Sequence, residues 1–287
     1  MNGISLSKLW QQSKLKLEIL CNDDNRNIIY LEGRLLLAFV CKIHWQEIFL
    51  NPDKIIANDK VQLLNDYLER LINQEPIYRI IGCKDFYGRE FKFSNNILEP
   101  RDDTIALIEL VRPILVKQNH LTALDIGCGS GIITVTLLAE FPHLEMTAVD
   151  ISAEALKITL DNAITHQVND RLTLINSDLF NNLTGKFNLI ISNPPYLSQD
   201  DMNNLDNKVK NFDPHIALFG GEDGLKFYKN IAKQAKDFLA NNGYIAVEIG
   251  KGQATDIIKI FTNENFNFLQ YNKDLAGITR ALLFQND

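Results

Sequence analysis

Leu124-Asp125-Ile126-Gly127-Cys128-Gly129-Ser130-Gly131 runs directly into the helix-like segment 132–140, and this passage decides the fold class. A short apolar strand ends in a glycine turn, and a helix begins at once. Glycine takes positive φ and lets a ligand come close to the main chain, which suits a turn at the carboxyl end of a strand to ligand binding. The spacing is Gly-x-Gly-x-Gly. A dinucleotide fingerprint would want its third glycine one position later, where this chain has Ile132, so NAD is disfavoured. The next strand, 145–149, ends in Asp150, near the roughly 20-residue spacing at which a carboxylate reaches ribose hydroxyls. An adenosine-bearing cofactor is expected, held by Gly127, Cys128, Gly129, Ser130, Gly131 and Asp150.

Further along, Leu189-Ile190-Ile191-Ser192 leads into Asn193-Pro194-Pro195-Tyr196. Two prolines cannot extend a ladder, so the strand stops there. They also lack N–H groups, which leaves the carbonyls of Asn193 and Pro194 as fixed acceptors, and the Asn193 side chain adds another. An –NH₂ group has two donors on a flat frame, and Tyr196 offers a ring to lie against it. This is a clamp for a planar nitrogen. Asn-Pro also initiates turns and tyrosine also fills cores, so the stretch alone leaves a structural turn open. With no pyrophosphate to neutralise and the clamp two strands on, S-adenosylmethionine fits the glycine turn better than NAD.

Strands are expected at 121–126, 145–150, 172–176, 188–192, 244–249, 266–271 and 279–284, with helices between most of them. That alternation predicts a mostly parallel sheet covered on both faces, with ligands at the carboxyl ends of its central strands. The last two strands have a short polar connection and should form an antiparallel edge. A helix is expected over 101–118, opened by Asp102 or Asp103 and bent at Pro113. Residues 85–93 read as a hairpin around Gly88. Before it, apolar stripes over 6–20, 28–44 and 59–74 predict amphipathic helices. Residues 200–211, rich in Asn and Asp, read as a mobile loop beside the clamp. The domains expected are a helical one at 1–78, a hairpin linker at 79–100 and the cofactor-binding domain at 101–287.

The chain has 287 residues and is 46% hydrophobic, enough for a substantial core. Cys21, Cys41, Cys83 and Cys128 are scattered, without Cys-x-x-Cys and without clustering with the histidines; no metal is expected, and free thiols fit a reducing cytoplasm. No leader is read at the N-terminus, and the longest apolar run, 35–41, is far short of a membrane span. The net charge of −7, without a cluster of Lys and Arg, disfavours direct nucleic-acid binding.

The two motifs together resemble class I methyltransferases that modify planar nitrogens. Gln74-Glu75-Pro76-Ile77-Tyr78-Arg79-Ile80-Ile81-Gly82, Phe86-Tyr87-Gly88, Leu98-Glu99-Pro100-Arg101-Asp102-Asp103-Thr104, the run from Asp213-Pro214 to Gly224-Leu225, and Val247-Glu248-Ile249-Gly250 with Gln253 narrow this further. These stretches resemble the peptide chain release factor N(5)-glutamine methyltransferases of the HemK/PrmC type over essentially the whole chain. Glu99, Asp102, Ile105, Asp213 and Leu179 depart from that family's pattern. The resemblance implies a seven-stranded Rossmann-like sheet, S-adenosylmethionine converted to S-adenosylhomocysteine, and a glutamine in the Gly-Gly-Gln motif of class 1 release factors as substrate. It implies that Asn193, Pro194 and Tyr196 are catalytic, that Pro195 joins them in binding substrate, and that Asp178, Leu179 and Asn193 touch the cofactor, with adenine on Leu179 and help from Phe180. The helical domain and residues 200–211 would dock the release factor. A cytoplasmic monomer without membrane contact is expected. The same clamp would serve an adenine N(6) methyltransferase on DNA or RNA, and a binding protein without activity is a third possibility.

Overall fold

Leu64, Leu68 and Leu71 recur at helical spacing and are buried, and this stripe seats α4 (Asn58–Ile72) in the core of the first part of the chain. Packed in the same core are residues of α1 (Leu6–Leu17), α2 (Arg26–Cys41), α3 (Glu47–Leu50) and α5 (Ile77–Ile81). Leu63 lies off the stripe and is 40% exposed. Beside the helices, β1 (Gly3–Ser5) pairs antiparallel with β2 (Ile55–Ala57), an addition to the all-helical expectation. Three residues per strand are too few to carry a readable period. The computed structural model describes residues 3–117 and 120–286, and the chain divides into two compact units after Gly82.

The second unit begins with a hairpin, β3 (Cys83–Phe86) and β4 (Arg89–Lys92). Tyr87 and Gly88 both have positive φ, the two-residue turn that matches strand twist, and the turn interrupts simple alternation so that Phe86 and Phe91 both enter this unit's core. A 3₁₀ turn (Asp102–Thr104) then precedes α6 (Ile105–Val116), which contains Pro113. Neither Asp102 nor Asp103 caps it, contrary to the sequence expectation: their carboxylates pair instead with Lys84 and Arg280. The expected helix end at Gln118 lies outside the described residues.

The remaining strands are β5 (Leu121–Ile126), β6 (Leu144–Asp150), β7 (Leu172–Asn176), β8 (Phe187–Ser192), β9 (Leu239–Glu248), β10 (Phe266–Lys273) and β11 (Thr279–Asn286). They form one sheet in the order β10-β11-β9-β8-β5-β6-β7, parallel from β9 to β7 and antiparallel at β11 and β10. Residues along each central strand alternate between two apolar layers: Leu189 and Ile191 belong to one, Ile190 to the other. Burial on both faces explains why these strands read as continuous apolar runs. Crossovers include α7 (Ile132–Glu140), α8 (Ala153–Thr165) and α11 (Lys226–Ala235), and α12 (Ala254–Asn263) follows β9. Residues 200–211 are not a loop: Ser198 opens α9 (Gln199–Asn203) with a reciprocal capping box with Asp201, and Asp206 caps α10 (Asn207–Phe212). From β5 the chain adds β6 and β7 on one side, then returns to place β8 on the other. The switch point of the sheet therefore lies between β5 and β8, the place beyond the carboxyl ends of the strands where open α/β sheets bind ligands.

Candidate active site

Ile126 on β5 is in register with Ser192 on β8, so the glycine turn and the Asn-Pro-Pro-Tyr loop leave the sheet side by side. Ser192 Oγ donates to the Ile126 carbonyl at 2.8 Å and ties the two exits together.

On the β5 side, the N–H groups of Gly127 and Cys128 both donate to the Val149 carbonyl, at 2.8 and 3.0 Å, drawing the turn toward β6. Gly127, Gly129 and Gly131 have positive φ. A Cβ on Gly131 would lie 2.8 Å from Thr159, whereas one on Gly127 would meet nothing within 4 Å, a cradle open to a ligand. Asp150 accepts from the Gly129 N–H at 3.0 Å through Oδ2 and from the Ser152 N–H at 2.9 Å through Oδ1. Its burial raises the pKa, and those N–H groups oppose the rise. Asn162 holds the turn from below: its Nδ2 donates to the carbonyls of Ser130 and Lys92, at 2.8 and 2.9 Å, and its Oδ1 accepts from the Lys92 N–H at 3.0 Å.

Cys128 and Ser130 are buried, so the turn offers main chain rather than these side chains. Burial pushes the Cys128 thiol well above its ordinary range, which removes it as a nucleophile. Beneath the turn, Asp125 accepts from Thr134 at 2.6 Å while its Oδ1 is buried without a partner; burial pushes this carboxyl up to about 7. Asp178 is exposed, and Leu179 is half-buried at a positive φ. Phe180 is stacked on Phe238, with ring centroids 4.8 Å apart, and is 2% exposed. It is spent on the core and is not free to cover adenine, a correction to the sequence expectation. The open Gly127 cradle, the main-chain turn and the Asp150 carboxylate fit a ligand carrying ribose hydroxyls.

On the β8 side, Asn193 Nδ2 donates to Thr104 Oγ1 at 3.3 Å. Among the described residues no hydrogen bond occupies Asn193 Oδ1 or the Pro194 carbonyl. Pro194 is buried, and Pro195 and Tyr196 are half-buried. Burial pushes the Tyr196 phenol up to about 12, so it stays neutral. The Tyr196 carbonyl accepts from Gln253 Nε2 at 2.9 Å, and Gln253 Oε1 takes the Gly250 N–H at 2.9 Å. Residues 217–225 lie against the loop main chain to main chain: Leu197 N–H donates to Leu218 O at 2.9 Å, and Gly220 N–H to Leu197 O at 2.8 Å. A Cβ on Gly220 would lie 2.7 Å from the Pro195 carbonyl, and one on Gly224 would lie 2.4 Å from the Tyr196 carbonyl. Asp213, despite its shorter side chain, pairs with Arg101.

Thr104, Gln253 and Glu248 were not expected in the site. All three lie in stretches that carry the family resemblance, and Glu248 also stands out as a charge ending an apolar strand.

A glycine turn with a carboxylate at the end of the next strand, beside an Asn-Pro-Pro-Tyr loop at the switch point of this seven-stranded sheet, is the arrangement of a class I methyltransferase. A family model described as Methyltransferase small domain matches residues 105–211, and one described as PrmC N-terminal domain matches 26–82. The solved catalytic domain of hMettl16, in complex with MAT2A 3'UTR hairpin 6, has the same fold, with a TM-score of 0.55 at 13% identity over 81% of this chain and 84% of that one. The Release factor glutamine methyltransferase of Agrobacterium fabrum is 36% identical over 259 residues, covering 89% of this chain and 90% of that protein. The chain belongs to the release factor glutamine methyltransferase family. The Bifunctional methyltransferase of Rickettsia typhi is 37% identical over 275 residues, 89% of this chain and 53% of that protein, so the chain spans about half the length of that relative.

Proposed function

We propose that the chain methylates the side-chain nitrogen N(5) of the glutamine in the Gly-Gly-Gln motif of class 1 peptide chain release factors. The observation that supports transfer to a planar nitrogen is the pair of unoccupied acceptors, Asn193 Oδ1 and the Pro194 carbonyl, beside the glycine turn through the β5–β8 register, and the family to which the chain belongs supports release-factor glutamine as that nitrogen. When bound by Gly127, Cys128, Gly129, Ser130, Gly131, Asp150, Asp178, Leu179 and Asn193, S-adenosylmethionine would supply an electrophilic sulfonium methyl and be left as S-adenosylhomocysteine. The chain's own residues do the positioning. An amide nitrogen is a weak nucleophile, and the two acceptors hold one N–H each so that the nitrogen is presented in a single orientation. As that nitrogen gains positive character its N–H groups become stronger donors, so the same acceptors stabilise the transition state more than the ground state. Neutral Tyr196 packs on the amide plane with Pro195 beside it. The methylated nitrogen then loses its extra proton to water, and no side-chain base is required.

The clamp reads only an –NH₂ on a planar frame, so the choice of glutamine comes from contacts elsewhere, for which the helical unit and α9–α10 are assigned docking of the release factor. Action without nucleic acid accords with the acidic balance, and a cytoplasmic monomer belongs to the same proposal; no helix among the described residues is long and apolar enough to cross a membrane. The test is methyl incorporation from labelled cofactor into purified release factor and, in parallel, into DNA. Label in the release factor, lost when its Gly-Gly-Gln glutamine is replaced, is the expected result. Labelled DNA with unlabelled protein would overturn the assignment.

A further inference from the structure

Glu248 ends β9 next to the clamp, one residue past Val247, which is in register with Ser192. It is 1% exposed, and its Oε2 makes no hydrogen bond. Such a carboxylate is costly to bury, and burial is the largest influence on it; the Thr104 hydroxyl and the Asn193 carboxamide work against burial and favour its ionised form. Thr104, fully buried, also accepts from Asn193 Nδ2. A carboxamide has a donor end and an acceptor end, and an ionised carboxylate can only accept. It can therefore face the Asn193 amino group and would repel Asn193 Oδ1.

We propose that Glu248 is a positioning residue for methyl transfer: an ionised acceptor behind Asn193 that, with Thr104, holds the carboxamide with Oδ1 presented to the substrate nitrogen. The inference rests on the role given to Asn193 above and extends it. Burial pushes the Glu248 carboxyl up to about 7; Thr104, Arg280 and Asn193 oppose that rise and Asp103 adds to it. Tyr196 and Tyr228 are near enough to feel its charge, and Arg280 is shared between Asp103 at 2.7 Å and Asp274 at 2.9 Å. Once protonated, Glu248 is a donor and stabilises the flipped amide, whose Oδ1 then faces away from substrate. Turnover should accordingly fall as pH drops through about 7.

The experiment compares wild type with Glu248→Gln, which keeps the volume and removes the charge. Turnover on release factor should fall about tenfold or more with KM for S-adenosylmethionine unchanged, and the acid limb near pH 7 should vanish. In nitrogen-labelled protein the Asn193 side-chain NH₂ resonance, assigned by its loss in Asn193→Asp, should titrate in wild type and stop titrating in Glu248→Gln. A resonance that titrates identically in both proteins overturns the proposal. A wild type inactive on release factor, with a resonance whose titration depends on Glu248, removes the substrate assignment and leaves the positioning role standing.

Discussion

Replacing Gly224 with alanine separates the clamp from the fold around it. Gly224 has a φ of +71°, and its added Cβ would lie 2.4 Å from the Tyr196 carbonyl oxygen and 2.8 Å from Gln253 Nε2. The left-handed backbone costs alanine about 1–2 kcal/mol. Relief of the contact requires the Tyr196 carbonyl to retreat by on the order of 1 Å, which also costs its bond to Gln253, about 1 kcal/mol. A total loss of about 2–3 kcal/mol should lower the melting temperature by roughly 4–12 °C for a chain of this size. Because a displacement of about 1 Å at a positioning group costs on the order of 10²-fold in rate, single-turnover methylation should slow by that factor. Cofactor affinity, read by calorimetry, should hold, since the glycine turn sits on a different strand. Gly185→Ala is the control: its φ is +91° but a Cβ would meet nothing within 4 Å, so stability should drop slightly while turnover is kept. Wild-type turnover in folded Gly224→Ala would refute the idea that residues 217–225 set the clamp.

Asp150→Ala should weaken S-adenosylmethionine binding by roughly 1.5–3 kcal/mol by calorimetry, and unchanged affinity in a folded protein would take the carboxylate off the ribose. Asn193→Ala should leave cofactor binding largely intact and cut turnover by about 10² or more, whereas undiminished turnover would make the loop a mere turn. Asp125 and Glu248 have folded pKa values raised to about 7 from ordinary values of 3.8 and 4.5, so their stabilising contribution is full below those ordinary values and is lost as pH rises through about 7. Melting of the cofactor-free protein should therefore fall between pH 6 and pH 8, by about 1 kcal/mol per group, and Asp125→Asn should flatten the dependence; equal melting at both pH values in wild type would contradict it.

Much of this architecture was legible because its signals are local. The β5 segment, the glycine turn and the start of α7 announce themselves in consecutive residues, and the double proline after Ser192 marks the end of β8. What stayed hidden depends on residues far apart in sequence. Thr104 reaches Asn193 across 89 positions, a contact without periodicity or composition to betray it. Phe180 stood beside the cofactor motif in sequence, but its ring turned to Phe238. Polarity at 200–211 suggested a loop, although Ser198 and Asp206 are N-caps whose side chains start short helices. Asp102 and Asp103 had the composition of a cap, and the nearby cations won them instead.

Asn162 has a consequence for dynamics. Its single side chain bonds both polar groups of the Lys92 main chain and the Ser130 carbonyl, so opening at this point frees the end of the hairpin and the floor of the glycine turn together. The two become one local-unfolding unit, and whatever a ligand adds to the stability of the turn is inherited by the hairpin. If the glycine turn holds the cofactor as proposed, hydrogen exchange at the Lys92 amide, outside that turn, should slow in step with cofactor saturation, making a main-chain proton of the hairpin a built-in gauge of occupancy.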